Sequence, residues 1–176
     1  NIKLIIDEEV PLISNLSNIS SLIYQSLEKV SWCGFYLSNE EFDTLYLGPY
    51  QGNVACTIIP FGKGVCGTSA ILKQSQLVPN VHAFPGHIAC SSSTNSEIVI
   101  PIIKDNKCYG VLDLDSDDFE NFTVQDQHLL EEVCKIISYL FKVGNKKEVV
   151  VTTTSCFPIH AKTIRIVTYY RDMENL

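Results

Sequence analysis

The chain has 176 residues, of which 45% are hydrophobic and 19% charged, so it has the length of one domain and is too apolar to be intrinsically disordered. A net charge of −7 without a basic cluster argues against a nucleic-acid partner, because nucleic acids bind to clustered positive charge. The sequence has no run of the roughly 20 apolar residues that a membrane-spanning helix needs, and no secretory signal is visible.

The N-terminal third is predicted to form a helix followed by a hairpin. Apolar residues recur every three or four positions in residues 8–30, which is typical of one amphipathic helix or two short ones. Residues 32–37 and 44–50 are β-type runs on either side of a polar segment. We expect these two runs to be strands joined by a turn.

The middle of the chain is irregular. Residues 48–68 are rich in glycine and proline, and residues 68–74 fit a short helix after this segment. The loop from residue 77 to 96 carries two prolines and a serine cluster. Long irregular loops within a compact domain usually carry functional residues, so we expect the site here.

Regular structure is predicted again in the last part of the domain. Residues 97–103 and 108–114 are rich in β-branched residues and predict a second hairpin. A helix is predicted over residues 123–143, with Thr123 as its cap and Asp126 at the third position. The sequence therefore predicts one mixed α/β (α+β) domain over residues 1–147 and a C-terminal extension, 148–176, without a functional interpretation.

Seven cysteines without a Cys-x₂-Cys pair favour reduced thiols over a secreted disulfide scaffold or a structural zinc site. We therefore expect a cytoplasmic protein without a metal site. Cys33, Cys108 and Cys134 lie in regular apolar runs and are predicted to be core residues, whereas three others lie in irregular segments: Cys56, Cys66 and Cys90. Cys66 is predicted to open a helix, where backbone amides lower the pKa of a thiol.

Two further features are chemically informative. Asp113 and Asp115 are two positions apart in a predicted strand and therefore face the same side. In a cavity they would form a general acid or an ammonium-binding pair, and on the surface an ordinary strand end. Trp32, the only tryptophan, is predicted to be a core residue or to hold a methyl or thioether group beside a cavity.

Six segments in register resemble the free methionine-(R)-sulfoxide reductase family, and the similarity extends over residues 8–145. They are, in chain order, LGPYQG at 47–52, ACTI at 55–58, PFGKGVCGT at 60–68, HIAC at 87–90, SEIVIP at 96–101 and GVLDLDS at 110–116. The spacings of 10 and 24 residues between the three cysteines in these segments also agree with the family.

The resemblance implies a single GAF-type domain with a central, mostly antiparallel sheet, flanking N- and C-terminal helices and a pocket under long loops. It implies an enzyme that reduces the R epimer of free methionine sulfoxide, with thioredoxin as external reductant, no bound cofactor and a homodimeric state. The residues implied as redox cysteines are Cys56, Cys66 and Cys90. Those implied as pocket residues are Trp32, Glu97, Asp113 and Asp115.

The implied chemistry explains these residue types. A thiolate attacks the sulfoxide sulfur and becomes a sulfenic acid, which a second thiol converts to a disulfide. Carboxylates can donate protons to the departing oxygen and pair with the α-ammonium of a free amino acid. We predict that Cys90 attacks and that Cys66 or Cys56 resolves, while the opposite order, with Cys66 attacking, stays open. Carboxylates disfavour a thiolate, so the substrate's cation is predicted to help activate the nucleophile.

Two features depart from the family pattern, and the residues are also compatible with two other functions. Ser91 stands where many relatives are expected to have an acidic residue, and residues 148–176 match nothing in the family.

One alternative function is that of a non-catalytic GAF domain that senses a small molecule. The other is a redox-sensing protein whose cysteines oxidise without any requirement for Glu97, Asp113 or Asp115.

Overall fold

The computed structural model describes residues 6–88 and 90–141, and the secondary structure within these ranges is a curled sheet with three α-helices. The elements in chain order are α1 (Leu12–Ser26), β1 (Trp32–Ser38), β2 (Thr44–Gln51), β3 (Ile58–Pro60), α2 (Gly64–Leu72), β4 (Gln76–Val78), a short 3₁₀ turn (Val81–Ala83), β5 (Ser96–Lys104), β6 (Lys107–Ser116) and α3 (Val124–Ser138). Among these helices, none is long and apolar enough to span a membrane. The predicted extension at 148–176 lies outside the described residues, as does the boundary at 147.

The six strands form one antiparallel sheet in the order β3-β2-β1-β6-β5-β4. Both predicted hairpins are present, β1 with β2 and β5 with β6. Asp105 and Asn106 join β5 to β6 with φ angles of 48° and 58°, the left-handed conformation that a two-residue hairpin turn requires. The prediction of a mixed fold with a mostly antiparallel sheet is confirmed.

The two faces of the sheet have different roles. Strand β6 shows the division, because Leu112 and Leu114 point to one face while Val111 and Asp113 point to the other. Helices α1 and α3 cover the first face and form the larger core cluster with it, including the thiols Cys33 and Cys134. Helix α2 packs on the second face. The site described below lies on that second face.

The N-terminal helix is shorter than the predicted span of residues 8–30. Helix α1 begins after Pro11, whose φ of −53° and ψ of 143° place it outside the helix, and ends before Leu27, which is extended. Its apolar residues Leu16, Ile19 and Ile23 are buried, so the predicted amphipathic face is correct. The apolar spacing continues beyond the C-terminal end because Leu27 and Val30 pack on the core in non-helical conformations, whereas Val10, before the helix, is exposed.

Helix α3 has the predicted cap. The Thr123 hydroxyl accepts a hydrogen bond from the Asp126 amide at 3.2 Å, and the Asp126 carboxylate accepts one from the Thr123 amide at 2.8 Å. This reciprocal capping box satisfies two backbone donors that would otherwise be unpaired at the helix start. The last helical residue is Ser138, five residues before the predicted end.

Helix α2 begins earlier than predicted, and its first turn is part of the site described below. It starts at Gly64 rather than at residue 68, so the glycine-containing segment is itself the first turn of the helix. A Cβ on Gly67 would overlap the carbonyl oxygen of Pro60 and lie 3.1 Å from the amide nitrogen of Gly62. The absence of a side chain therefore lets α2 pack closely on the end of β3.

Replacing Gly67 with alanine is expected to destabilise the protein by about 1–3 kcal/mol, because the added carbon overlaps backbone that cannot move away easily. The higher helix propensity of alanine offsets at most about 1 kcal/mol of this cost. Urea unfolding measures the difference, with Ile71→Ala as a control at an exposed position of the same helix. A Gly67→Ala protein as stable as the wild type would contradict the close packing described here.

Candidate active site

A cavity opens on the face of the sheet that carries α2. About 430 Å³ of non-atom space lies in the cavity and in the open solvent at its mouth. Its walls are strands β1, β3, β5 and β6, the segment before β3, the first turn of α2 and the loop after the 3₁₀ turn. Six of the seven residues that the sequence singled out line it: Trp32, Cys66, Cys90, Glu97, Asp113 and Asp115. The seventh, Cys56, is bonded to Cys90 and is not among the lining residues.

Three carboxylates meet in the cavity because of strand register. Glu97 of β5 is directly opposite Asp115 of β6, and Asp113 is two positions away on the same face of β6. The cavity alternative for the two aspartates therefore holds, and Glu97 joins them. Like charges directly opposite each other in a sheet are destabilising, so this arrangement costs stability unless protons or a bound cation reduce the charge.

The environment favours the protonated forms of these groups. Glu97 and Asp113 are each only 6% exposed, and burial is the main cause that raises the pKa of both carboxyls. Burial and the neighbouring Asp113 also raise the pKa of Asp115. Asp113 Oδ1 is buried without a hydrogen-bond partner among the described residues. The cluster can therefore hold protons at neutral pH or bind a cationic group.

Cys66 lies against this cluster. Its Sγ is 3.9 Å from Oε1 of Glu97, and its side chain is buried in the first turn of α2. Burial raises the pKa of the thiol, and the charges of Asp113 and Glu97 raise it further. The expectation that the helix start lowers this pKa is therefore wrong, because burial and carboxylates from two other strands outweigh the local amides.

Cys56 and Cys90 form a disulfide, with their Cα atoms 5.3 Å apart. The bond joins the segment after β2 to the loop that precedes β5, and both cysteines are half-buried. Of the two pairings that the sequence left open for Cys90, this structure contains the one with Cys56. Cys66 remains a free thiol, as do the buried core cysteines Cys33, Cys108 and Cys134.

Trp32 forms an aromatic wall of the cavity. Its indole stacks on Tyr36 and Tyr50, with ring centroids 5.9 Å and 5.3 Å away, and its Nε1 donates a hydrogen bond to the Asn53 carbonyl at 3.0 Å. A Cβ on Gly34 would overlap both this indole and Tyr50, so the glycine makes room for the stack. Trp32 is therefore both a core residue and a wall of the cavity.

Sequence reasoning missed His87 as a site residue. Its Nε2 is 3.8 Å from Oε2 of Glu97, and the ring lines the cavity. Partial burial, with a smaller contribution from His82, lowers the pKa of His87, which favours the neutral imidazole beside Glu97. The segment HIAC at 87–90 already belonged to the family pattern, and its histidine was the available signal.

The serine cluster connects the cavity to an acidic residue. Ser91 lines the cavity, its hydroxyl is 3.1 Å from that of Ser93, and the Ser93 hydroxyl donates to Asp117 at 2.8 Å. At the position after Cys90, where many relatives are expected to have an acidic residue, this chain thus has a hydroxyl that reaches a carboxylate through a second hydroxyl.

One group of described residues can hold a metal ion. The possible ligand atoms of Cys66, Glu97 and Asp113 lie within 4.8 Å of one another.

Comparison with known proteins agrees with this geometry. Residues 12–139 match the family model of the GAF domain. The chain is 49% identical to the free methionine-R-sulfoxide reductase of Saccharomyces cerevisiae over 138 residues, which are 75% of this chain and 77% of the yeast protein. It is 46% identical to the enzyme of that name from Escherichia coli over 125 residues, 71% of this chain and 74% of the relative.

A solved structure gives the same result. The free methionine-R-sulfoxide reductase of Neisseria meningitidis in complex with its substrate superposes with a TM-score of 0.75 at 41% identity, covering 80% of this chain and 83% of that one. The antiparallel sheet with its loop-covered cavity is thus a GAF domain. Within that class, the chain belongs to the free methionine-R-sulfoxide reductase family.

Proposed function

We propose that this protein reduces free methionine (R)-sulfoxide to methionine. The observation that carries the proposal is the Cys56–Cys90 disulfide beside a cavity that contains three carboxylates. A redox-active pair beside proton-holding groups is what sulfoxide reduction needs, and the relatives named above are reductases of this substrate.

The cavity suits a small amino acid with a polar sulfur. The indole of Trp32 offers an apolar wall for the methyl group next to the sulfoxide, while Glu97, Asp113 and Asp115 offer negative charge to the α-ammonium. A methionine sulfoxide within a polypeptide has no α-ammonium. Pairing with these buried carboxylates therefore selects the free amino acid.

The reaction proceeds with Cys90 as the nucleophile. Its thiolate sulfur bonds to the sulfoxide sulfur while the oxygen takes up a proton from the carboxyl cluster. The oxygen then passes to the Cys90 sulfur as the transient S–S bond and the bond between the methionine sulfur and the oxygen break, which gives methionine and a sulfenic acid at Cys90. The thiol of Cys56 then attacks this sulfenic acid, forms the disulfide and releases water. One sulfoxide is thereby reduced by two electrons as two thiols become one disulfide.

Cys66 has a different role in this scheme. Because burial and carboxylates raise its pKa, it stays a thiol and donates a hydrogen bond toward Glu97 rather than attacking the substrate. The substrate's ammonium, once paired with the carboxylates, lowers the negative charge of the cavity. This favours the thiolate of Cys90 at the moment when a sulfoxide is present.

The remaining parts of the proposal concern the working enzyme. It uses no bound cofactor, and an external dithiol protein of the thioredoxin type regenerates the two thiols by disulfide exchange. It acts in the cytoplasm as a homodimer. Sedimentation of the purified protein tests the dimer, and steady-state turnover with thioredoxin as the electron donor tests the reductant.

Separated epimers and a blocked substrate test the proposed activity. Free methionine (R)-sulfoxide should be turned over, the S epimer should not, and the N-acetylated, amidated R compound should have a kcat/KM lower by at least about 10²-fold, because it has no ammonium to pair with the buried carboxylates. Dithiothreitol as reductant makes the assay independent of any protein partner. Absence of turnover under fully reducing conditions would refute the enzyme and favour a sensor domain.

A further inference from the structure

The cavity brings one sulfur and two carboxylates close enough to share an ion. Cys66 comes from α2, Glu97 from β5 and Asp113 from β6, and one ligand atom of each lies within 4.8 Å of the others. Sγ of Cys66 and Oε1 of Glu97 are 3.9 Å apart. In a tetrahedral zinc site, with Zn–S near 2.3 Å and Zn–O near 2.1 Å, sulfur and oxygen ligands are about 3.6 Å apart. Small side-chain rotations therefore bring these atoms into one coordination shell.

One of these carboxylates has a buried oxygen without a partner. Oδ1 of Asp113 is buried and accepts no hydrogen bond from the described residues, although the side chain lines the cavity. Burial of an unpaired polar atom costs free energy, and a bound cation in the cavity would supply the missing partner.

The charge of the cavity also favours a cation. Glu97, Asp113 and Asp115 line it together, and Lys63 is the cationic side chain of the lining. Lys63 is exposed and takes part in no ion pair among the described residues. When the three carboxylates are ionised, their negative charge is therefore left for a divalent ion to neutralise.

The chemistry of the three ligands selects the ion. Ca²⁺ and Mg²⁺ prefer shells made of oxygen alone, so a thiolate ligand argues against both. Cu⁺ prefers thiolate and thioether sulfur to carboxylates. Zn²⁺ accepts Cys, Asp and Glu in one tetrahedral shell, and three protein ligands leave its fourth position open. A site with one sulfur and two carboxylate oxygens therefore fits Zn²⁺ best.

We infer that Cys66, Glu97 and Asp113 form a Zn²⁺ site in the cavity. The ion displaces the thiol proton of Cys66 and any proton on the two carboxyls, these protons leave to solvent, and water takes the fourth position. No electron is transferred, so binding is reversible and leaves the Cys56–Cys90 disulfide intact. The ligands come from three separate elements, and residue spacing therefore did not predict a metal site.

The ion is an inhibitor in this inference and not a cofactor. This consequence rests on the proposed function, in which Glu97, Asp113 and Asp115 pair with the α-ammonium of the substrate. An ion bound to two of these three carboxylates removes the negative charge that the ammonium needs. Zn²⁺ and the free amino acid should therefore exclude each other from the cavity.

A Co²⁺ titration tests the site. The full-length oxidised protein, freed of metal by dialysis against a chelator, is titrated without oxygen, because the disulfide removes Cys56 and Cys90 as thiolate ligands. One Co²⁺ per chain should produce a thiolate-to-cobalt charge-transfer band in the near ultraviolet and the intense visible bands of a tetrahedral ion, and Zn²⁺ should abolish both. Visible bands without the charge-transfer band would exclude Cys66 as a ligand, and no bands would refute the site.

Matched variants of two buried thiols assign the sulfur. Cys66→Ser should abolish the charge-transfer band and weaken Zn²⁺ binding by at least about 10²-fold, because even the loss of a residue that only orients a ligand costs about 10–100-fold. Cys108→Ser is the control, since that thiol is buried on the same face of the sheet with Sγ 3.2 Å from the Gly110 carbonyl oxygen, and it should change neither quantity. Equal losses in both variants would overturn the assignment.

A second ligand variant keeps the test decisive if Cys66→Ser does not fold. Glu97→Gln should retain the band, because the thiol remains, but weaken Zn²⁺ binding by at least about tenfold, because an amide oxygen carries no charge. Unchanged affinity would exclude Glu97 as a ligand and with it the proposed site. Circular dichroism checks the fold of each variant.

Competition tests the mutual exclusion of ion and substrate. Free methionine should remove more of the charge-transfer band than an equal concentration of alanine, which chelates free metal through the same amino and carboxylate groups. Equal losses would overturn the exclusion. The spectra require no sulfoxide turnover, so a failure of the enzyme assay leaves the metal site standing, and a failure of Co²⁺ to bind leaves the proposed activity standing.

Discussion

Replacing Cys90 with serine is expected to lower kcat/KM for free methionine (R)-sulfoxide by at least about 10³-fold. A serine hydroxyl at neutral pH is a far weaker nucleophile than a thiolate, and the step that forms the sulfur–sulfur bond cannot occur without it. The measurement is steady-state reduction with dithiothreitol, which removes any effect on a protein reductant. Circular dichroism of the variant checks that the loss is chemical, since a half-buried Cys→Ser change adds no bulk.

Two other cysteine variants make this result specific. Cys56→Ser should still complete the first step and accumulate a sulfenic acid on Cys90 that dimedone traps, because only the resolving thiol is missing. Cys66→Ser should keep turnover within about tenfold of wild type, since its thiol does not enter the disulfide. A sulfenic acid trapped on Cys66 in the Cys90→Ser protein would reverse the assigned order.

Electrostatics explain why the buried cysteine is not the attacker. Among the redox candidates, Cys66 has the helix-start position that usually favours a thiolate, yet the carboxylates of Glu97 and Asp113 face it from β5 and β6. Burial contributes most to the raised pKa of this thiol, and a carboxylate that is ionised adds a full unit of negative charge against about half a unit of positive charge from the amides of the helix end. The cavity therefore keeps one thiol protonated and places another, Cys90, at its wall.

The local part of the fold was predictable from the sequence. The hairpin of β5 and β6 follows from two β-branched runs around a turn, and the start of α3 follows from the spacing of Thr123 and Asp126. Strands β3 and β4 could not be predicted, because three residues carry no periodicity and their conformation depends on pairing with β2 and β5. The early start of α2 was missed because glycines usually indicate a turn.

Apart from the family resemblance, the pattern of residues predicted the site only where one strand was enough to place its residues. Asp113 and Asp115 share a face because strand residues alternate, and this needs no tertiary information. The pairing of Cys56 with Cys90 depends on how two loops meet, and the pKa of Cys66 depends on carboxylates 31 or more residues away. The spacing of residues along the chain does not contain these long-range interactions. The helix-start argument therefore predicted the wrong direction for the pKa shift of Cys66.

Asp113→Asn is expected to lower kcat/KM and to raise the free energy of unfolding relative to wild type at higher pH. The amide has nearly the same shape but neither carries a negative charge nor supplies a proton, so kcat/KM should fall by about 10²-fold or more. At the same time the variant should become more stable, relative to wild type, as the pH rises. The two effects have one cause, the burial of an acidic group without a hydrogen-bond partner for Oδ1 among the described residues.

The sign of the pH effect follows from proton binding. Burial raises the pKa of Asp113 to about 7 in the folded protein, while in the unfolded chain the carboxyl ionises near pH 4. Between these values the folded state binds more protons than the unfolded state, so this group lowers stability as the pH increases. Asparagine does not titrate. The stability of the variant minus that of wild type should therefore increase by about 2 kcal/mol from pH 5 to pH 8.

Urea unfolding of the two oxidised proteins at pH 5 and pH 8 measures this difference, and comparison within each pH removes effects common to both. Asp118→Asn is the matched control, because that carboxylate is half-exposed in an ion pair with Lys29 and its loss should change stability by less than about 1 kcal/mol at either pH. If Asp113→Asn lost the same stability at both pH values, the carboxyl would not be a buried acid in the folded protein. If the difference in stability between the variant and wild type increases with pH as expected, the fold retains a destabilising carboxyl because the site uses it.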